Sequence, residues 1–129
     1  MMSFTHTVKT NKSIDDAITT ITENLKEIGF GVLETLDFKK VLSGKGLEFS
    51  NSYTLMEVCH PSLAKQVLET NPDLGLLLPC TIAVYQKDNE NIISLARPTS
   101  MLAMASDSSL QFSGEEIESN LIRIIENSK

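Results

Sequence analysis

The chain has little positive charge, few aromatic residues and no tryptophan. Its 11 Lys and Arg stand against 17 Asp and Glu, so the 129 residues carry a formal net charge of −6 at pH 7. Binding to nucleic acid phosphates needs clustered Lys and Arg, so this composition argues against nucleic acid as a partner. Hydrophobic residues make up 41% of the chain and charged residues 22%. These fractions are typical of a globular protein, and we expect residues 1–129 to form a single domain.

The chain also lacks a long apolar run. The longest apolar stretch, 74–85, has 12 residues and is interrupted by a glycine and a proline, whereas a helix that crosses a bilayer needs about 20 apolar residues. Residues 1–10 have no basic segment followed by an apolar one, so we expect no signal peptide and no membrane partner. The default expectation is a cytoplasmic protein, in which Cys59 and Cys80 are thiols rather than a disulfide.

Three segments have the signals of helices. Residues 14–28 place their apolar side chains on one helical face, and Ser13 can cap the start of this helix while Gly29 caps its end. The apolar positions are Ile14, Ala17, Ile18, Ile21, Leu25 and Ile28. Pro61 predicts the start of a second helix, and the apolar periodicity of 115–126 predicts a third.

Apolar or alternating segments between these helices predict strands. We expect strands at 4–8, 31–39, 53–59, 81–85 and 91–97. Strands that follow each other without a helix form hairpins, so the sheet should be mostly antiparallel. The order β-α-β-β-α-β-β-α predicts an α+β fold, a two-layer sandwich with the helices on one face of the sheet. We expect loops at 40–52, with at most one helical turn, and at 107–114, and a short helix at 99–105.

The strand predicted at 81–85 is apolar on both faces. Ile82 and Val84 point to one side, and Ala83 and Tyr85 point to the other. A strand with one wet face should alternate between apolar and polar residues, so both faces of this strand should be covered. Helices can cover one face, and the other can be covered by the predicted loop after the second strand, by the C-terminal segment or by a second copy of the protein. We favour a homodimer.

Two carboxylates fall among apolar residues of the predicted strands. Glu57 shares a strand face with Leu55, and Glu34 shares one with Val32. A buried carboxylate must find hydrogen-bond donors or take up a proton, so both are candidate binding residues. The simpler interpretation is that they lie at the wet rim of the sheet. Arg97 is expected to pair with Glu34 or Glu57, or else to bind an anion.

A second group of candidate residues surrounds the two thiols. Cys59-His60-Pro61 joins a strand to a helix, where the helix N-terminus would lower the pKa of the Cys59 thiol. Cys80 begins the next strand, so the fold can bring both thiols and His60 together as a soft metal site or a redox pair. The alternative is that both cysteines simply fill the core. The chain has no CxxC motif, which argues against a structural zinc site.

Two segments resemble a known family. Val58-Cys59-His60-Pro61, with Ala64 after it, and the run GLLLPCTIAVY at 75–85 are similar to the DUF302 pattern vCNP…A…GLLLPCnvvVYe. The chain departs from this pattern at His60, where the family usually has Asn. The resemblance implies a small two-layer α+β fold that forms homodimers. It implies no activity, because the function of the family is undefined.

The residues leave two functions open. In the first, a dimeric binding module holds a small molecule, a metal ion or a sulfur species in a cleft near Cys59, His60, Cys80 and Glu57. In the second, Cys59 reacts and Cys80 resolves the product in a thiol-dependent redox protein or enzyme. We rank binding first because the sequence offers no base with an orienting partner for a nucleophile. The sequence identifies neither a cofactor nor a substrate.

Overall fold

The computed structural model describes residues 3–77, 80–104 and 111–129. The strands found there are β1 (Thr5–Thr10), β2 (Gly31–Asp37), β3 (Tyr53–Cys59), β4 (Cys80–Lys87) and β5 (Glu90–Ala96). The helices are α1 (Ile14–Glu27), α2 (Phe38–Gly44), α3 (Pro61–Thr70), α4 (Pro98–Met104) and α5 (Gln111–Ser128), with a 3₁₀ helix at Pro72–Leu77. None of the described helices is both long and apolar enough to cross a membrane.

The strands form one antiparallel sheet in the order β1-β5-β4-β3-β2. β4, which is apolar on both faces, therefore lies at the centre of the sheet. α1 and α5 pack against each other and against the sheet on one side, which we call the inner face. This arrangement confirms the predicted α+β fold with its antiparallel sheet.

The hydrophobic core lies between the inner face and these two long helices. Alternate residues of β3, β4 and β5 point into it, as the twofold period of a strand requires. The hydrophobic side chains of this core that have no exposed surface are Ala17, Ile21, Leu25, Met56, Val58, Ile82, Val84, Ile93, Leu95, Leu121 and Ile125. Burying a side chain of this size contributes roughly 1.5–3 kcal/mol, so this layer is the main source of the stability of the fold.

The ends of α1 form where the sequence predicts them. Ser13 Oγ accepts a hydrogen bond from the Asp16 amide at 3.1 Å and so caps the first turn. Gly29 has a φ of 81°, a left-handed conformation that glycine adopts without steric cost. The Phe30 amide then bonds back to the Leu25 carbonyl at 3.0 Å, which turns the chain into β2.

A helix that the sequence reasoning missed stands between β2 and β3. The strand predicted at 31–39 ends at Asp37, because the Asp37 side chain accepts a hydrogen bond from the Lys40 amide at 3.2 Å and caps α2. The prediction that 40–52 forms a loop with at most one helical turn is therefore wrong at its start. The predicted element order lacked this helix.

α5 also begins earlier than predicted. The loop expected at 107–114 is wrong over 111–114, because these residues belong to α5. Residues 107–110 lie outside the described residues, as does the last residue of the short helix predicted at 99–105.

The opposite side of the sheet, which we call the outer face, carries a partly exposed apolar patch. Tyr53 of β3 stacks on Tyr85 of β4 with ring centroids 5.4 Å apart, and Phe38 of α2 meets Tyr53 edge-on. Leu55 and both tyrosines are half-buried, and Val41 of α2 is exposed. The described part of the chain therefore covers this patch only in part.

Candidate functional site

A cavity of about 370 Å³ lies at the end of the sheet where β4 begins. Its walls are apolar and come from several helices. Leu63 and Val67 belong to α3, Leu74 to the 3₁₀ helix, Leu102 to α4 and Ile117 to α5. Val67 and Leu74 are buried in a small hydrophobic cluster distinct from the main core, so the elements around the cavity are held by their own packing.

Polar side chains reach this cavity from the sheet. Glu57 of β3 and Cys80 and Thr81 of β4 line it, and all are half-buried. Thr81 Oγ1 donates a hydrogen bond to Glu57 Oε2 at 3.0 Å, since the two residues pair across β3 and β4. The cavity therefore combines apolar walls with a carboxylate and a hydroxyl on its sheet side.

Both cysteines are free thiols whose pKa is raised. Burial raises the pKa of Cys80 to about 11, and the negative charges of Cys59 and Glu57 add to the shift. Burial also raises the pKa of Cys59. The prediction that the N-terminus of α3 lowers the pKa of Cys59 is therefore wrong. The Leu63 amide of that helix end is already bonded to His60, and desolvation dominates.

His60 acts as the cap of α3. Its Nδ1 accepts a hydrogen bond from the Leu63 amide at 3.4 Å. The ring lies edge-on to Phe30 with centroids 5.2 Å apart, and a Cβ added to Gly29 would lie 3.4 Å from Nε2. His60 lines a second pocket of about 270 Å³ between α3 and α5 rather than the apolar cavity.

A β-bulge decides the position of Glu34. The register between β2 and β3 shifts between Val32 and Glu34, so that Val32 pairs with Val58 and packs on the core, whereas Glu34 pairs with Glu57. The prediction that Glu34 and Val32 share a face is therefore wrong, because the extra residue of a bulge inverts the alternation of side chains. Glu34 is exposed, directly across the strand pair from Glu57.

Arg97 pairs with Glu118 of α5, which corrects the prediction of a pair with Glu34 or Glu57. Nε and Nη2 of Arg97 donate to Glu118 Oε2 at 3.2 and 3.1 Å. Glu118 Oε1 accepts from the Thr99 amide at 3.1 Å and the Thr99 hydroxyl at 2.7 Å. Burial alone would raise the pKa of Glu118, but the hydrogen bonds from Thr99 and Arg97 outweigh it and lower the pKa.

Only part of the predicted site comes together. Glu57 and Cys80 line the cavity. Cys59 is not among its lining residues, and His60, Glu34 and Arg97 have other neighbours. Within the ranges that the structure describes, no group of three or more His, Cys, Asp or Glu is arranged to hold a metal. The sequence reasoning did not predict the apolar residues that line the cavity. The leucine-rich run before Cys80 was the one pattern that could have indicated them.

Comparison with known proteins places this geometry in a family. The sequence matches the family model described as "Domain of unknown function DUF302" over residues 5–128. The chain belongs to the DUF302 family. A solved structure of an uncharacterized conserved DUF302 protein from Bacillus stearothermophilus is 33% identical to it, with a TM-score of 0.94 over 99% of this chain and 100% of that one. No curated protein matches the chain, so the DUF302 comparison supplies a fold and leaves the activity open.

One of the two segments that carry the DUF302 resemblance lines the cavity. Leu76, Leu77, Cys80 and Thr81, from the leucine-rich segment, line it directly. His60 stands where the DUF302 pattern has Asn, which is itself a preferred helix cap. Because His60 Nδ1 makes the capping hydrogen bond, the exchange preserves the junction between β3 and α3.

Proposed function

We propose that this DUF302 domain binds a small, largely apolar molecule in the cavity at the start of β4. The observation that carries the proposal is the volume of about 370 Å³ behind apolar walls. At ~30 Å³ for each water-sized group, this is room for roughly a dozen non-hydrogen atoms. Apolar pockets with a few convergent polar groups are the usual form of small-molecule sites.

The edge of the cavity supports this function. Leu76 and Met104 both line the cavity, yet 85% of the surface of Leu76 and 67% of that of Met104 is exposed. A bound apolar molecule would remove part of this surface from water, which is favourable. Methionine at the edge also adapts to ligands of different shape, because its side chain is unbranched and flexible.

The state of the thiols favours binding over thiol chemistry. The thiolate is the reactive form of cysteine, and burial raises the pKa of both Cys59 and Cys80. The protonated thiol of Cys80 acts as a small apolar group of the cavity wall. Two free thiols also fit a reducing compartment, which supports the cytoplasmic location that we propose.

A cavity-filling variant tests the binding proposal, with octanol as the probe in isothermal titration calorimetry. Met101 lines the cavity from α4, so Met101→Trp should fill part of it and weaken octanol binding at least ~10-fold, equivalent to about 1.4 kcal/mol. Leu33→Trp is the matched control, because Leu33 is 65% exposed and does not line the described cavity wall. Equal octanol binding by the two variants, or no binding by the parent protein, would refute the proposal.

We propose in addition that two copies of the protein associate through the outer face of the sheet. Tyr53, Leu55 and Tyr85 are only half-buried there. With strands ~4.8 Å apart and ~3.3 Å per residue, the face of the sheet measures roughly 500 Å², to which α2 adds. A stable interface buries about 800 Å² on each partner, so the sheet and α2 together approach the required area.

The dimer proposal is tested by sedimentation equilibrium at micromolar concentrations. Tyr85→Lys removes the ring that stacks on Tyr53 and places a charge at the centre of the interface, so it should give a monomer. Leu76→Lys adds the same charge at an exposed apolar residue of the cavity edge and should leave the dimer intact. A parent protein that is monomeric, or a dimeric Tyr85→Lys variant, would contradict the proposal.

A further inference from the structure

We infer that the ligand of this cavity is an amphiphile with a cationic head group, of the class of primary alkylamines. The inference rests on the proposed binding function and adds the chemistry of the ligand to it. It comes from the charge of the cavity wall, the acceptor capacity of Glu57 and the position of Glu34.

The described wall of the cavity carries one charged side chain, the carboxylate of Glu57. The only other polar side chains on this wall are the hydroxyl of Thr81 and the thiol of Cys80. Neither Lys nor Arg lines the described wall, and the nearby Arg97 is already held by Glu118. A ligand with a negative head group would therefore meet a carboxylate and find no cation to balance its charge.

Glu57 has acceptor capacity left for a ligand. Its Oε2 accepts from Thr81 Oγ1 at 3.0 Å, and among the described residues no hydrogen bond reaches its Oε1. A carboxylate offers about four acceptor sites, so most of the acceptor capacity of Glu57 is left for a ligand. An ammonium group supplies three donors and a positive charge, which makes it the best complement for a half-buried carboxylate.

Glu34 strengthens the same preference. It lies directly opposite Glu57 across β2 and β3, and like charges at opposed positions destabilise a strand pair. None of the ion pairs found among the described residues involves either carboxylate. A cationic head group bound at Glu57 would reduce this repulsion, whereas an uncharged head group would leave it unchanged.

The apolar volume sets the size of the remaining part of the ligand. Room for roughly a dozen non-hydrogen atoms fits an alkyl chain of about eight to ten carbons with its head group. The chain would lie among the side chains of α3, the 3₁₀ helix and α4, with the head group directed to the sheet. Octylamine is therefore the simplest probe of the proposed class.

The test compares octylamine, octanol and octanoate, which share one chain length and differ in the charge of the head group. In calorimetry, octylamine should bind ~10- to 100-fold more tightly than octanol, and octanoate should bind most weakly. Glu57→Gln should reduce the affinity for octylamine to near that of octanol, because Gln keeps the size of the side chain and removes its charge. Glu48→Gln is the matched control, because Glu48 is exposed and does not line the described wall.

The net charge of −6 attracts any amine to the protein surface. Octylamine binding by the Met101→Trp variant therefore measures the binding that occurs outside the cavity. Octylamine bound equally by the parent and Met101→Trp overturns the inference, as does unchanged octylamine affinity in Glu57→Gln. Equal affinities for octanol and octylamine overturn the inference as well, but leave the binding proposal standing. A parent protein that does not bind octanol refutes the binding proposal itself.

Discussion

Replacing Glu118 with Gln should destabilise the protein more than any exposed carboxylate substitution. Glu118 is only 8% exposed and joins α5 to the start of α4. One of its oxygens receives two N–H groups of Arg97, and the other receives the amide and hydroxyl of Thr99. Either orientation of a Gln amide points an NH₂ group at an N–H donor. The variant therefore loses the charge and leaves buried donors facing each other.

The cost follows from this geometry. A hydrogen bond to a charged group contributes about 1.5–3 kcal/mol, and a buried donor left without an acceptor costs a similar amount. We expect Glu118→Gln to lower the free energy of unfolding by about 2–3 kcal/mol. For a domain of this length each 1 kcal/mol shifts the melting temperature by roughly 4 °C, so the expected loss is about 8–12 °C.

The loss of stability in Glu118→Gln should depend on pH. The folded-state pKa of Glu118 is lowered, so the unfolded chain takes up the proton at a higher pH than the folded protein. The stabilisation is fully present above the unfolded value of about 4.3 and disappears as the pH falls through the folded pKa. The difference between the parent protein and Glu118→Gln should therefore be full at pH 7 and shrink in the acid range.

Urea unfolding at neutral and acid pH measures both effects. Glu69→Gln is the matched control, because Glu69 forms an exposed pair with Lys65 one helical turn away and should change stability by less than ~0.5 kcal/mol. A Glu118→Gln protein as stable at pH 7 as Glu69→Gln would show that the network contributes nothing. A difference that persists unchanged at low pH would refute the role of the carboxylate charge.

Three further outcomes follow from burial and capping. Ile82→Ala should cost about 2–5 kcal/mol in urea unfolding because Ile82 is fully buried, whereas Leu77→Ala should cost less than ~2 kcal/mol because Leu77 borders open space. His60→Ala should lower the melting temperature by roughly 4 °C, about 1 kcal/mol, and His60→Asn should restore it, since Asn also caps helices. In a Cys59→Ser variant, burial should still raise the pKa of Cys80, so Cys80 should react with a thiol reagent at pH 7 at least ~10-fold more slowly than an ordinary thiol, and its rate should still rise above pH 9. Equal losses of unfolding free energy in Ile82→Ala and Leu77→Ala would contradict the assigned burial of these residues. A destabilised His60→Asn variant would contradict the capping role, and a rapidly reacting Cys80 would contradict its raised pKa.

The layer between the helices and the sheet was predictable because its signals are local. The stripe from Ile14 to Ile28 repeats with the period of a helix, and the caps at Ser13 and Gly29 need only neighbouring residues. The apolar character of both faces of β4 likewise predicts its central position. By contrast, the cap at Asp37 also acts locally and was missed, because Asp37 sits within a segment that otherwise alternates like a strand.

The candidate site was predictable only in part, because it depends on which side of a strand each residue faces. One extra residue in β2 moves Glu34 to the face opposite Val32 and places it across from Glu57. Arg97 pairs with Glu118 because α5 packs across the end of β5. This contact joins two separate elements, so the local sequence around Arg97 does not predict it.

The sequence by itself determined the two long helices of the core, the five strands and the family of this protein, because periodicity, caps and motifs are properties of short segments. Only the tertiary structure decided that leucines from α3 and the 3₁₀ helix meet α4 and α5 around a cavity. The tertiary structure also decided the direction of the pKa shift of Cys59. Burial raises this pKa more than the N-terminus of α3 lowers it, because desolvation depends on every neighbour that packing brings close.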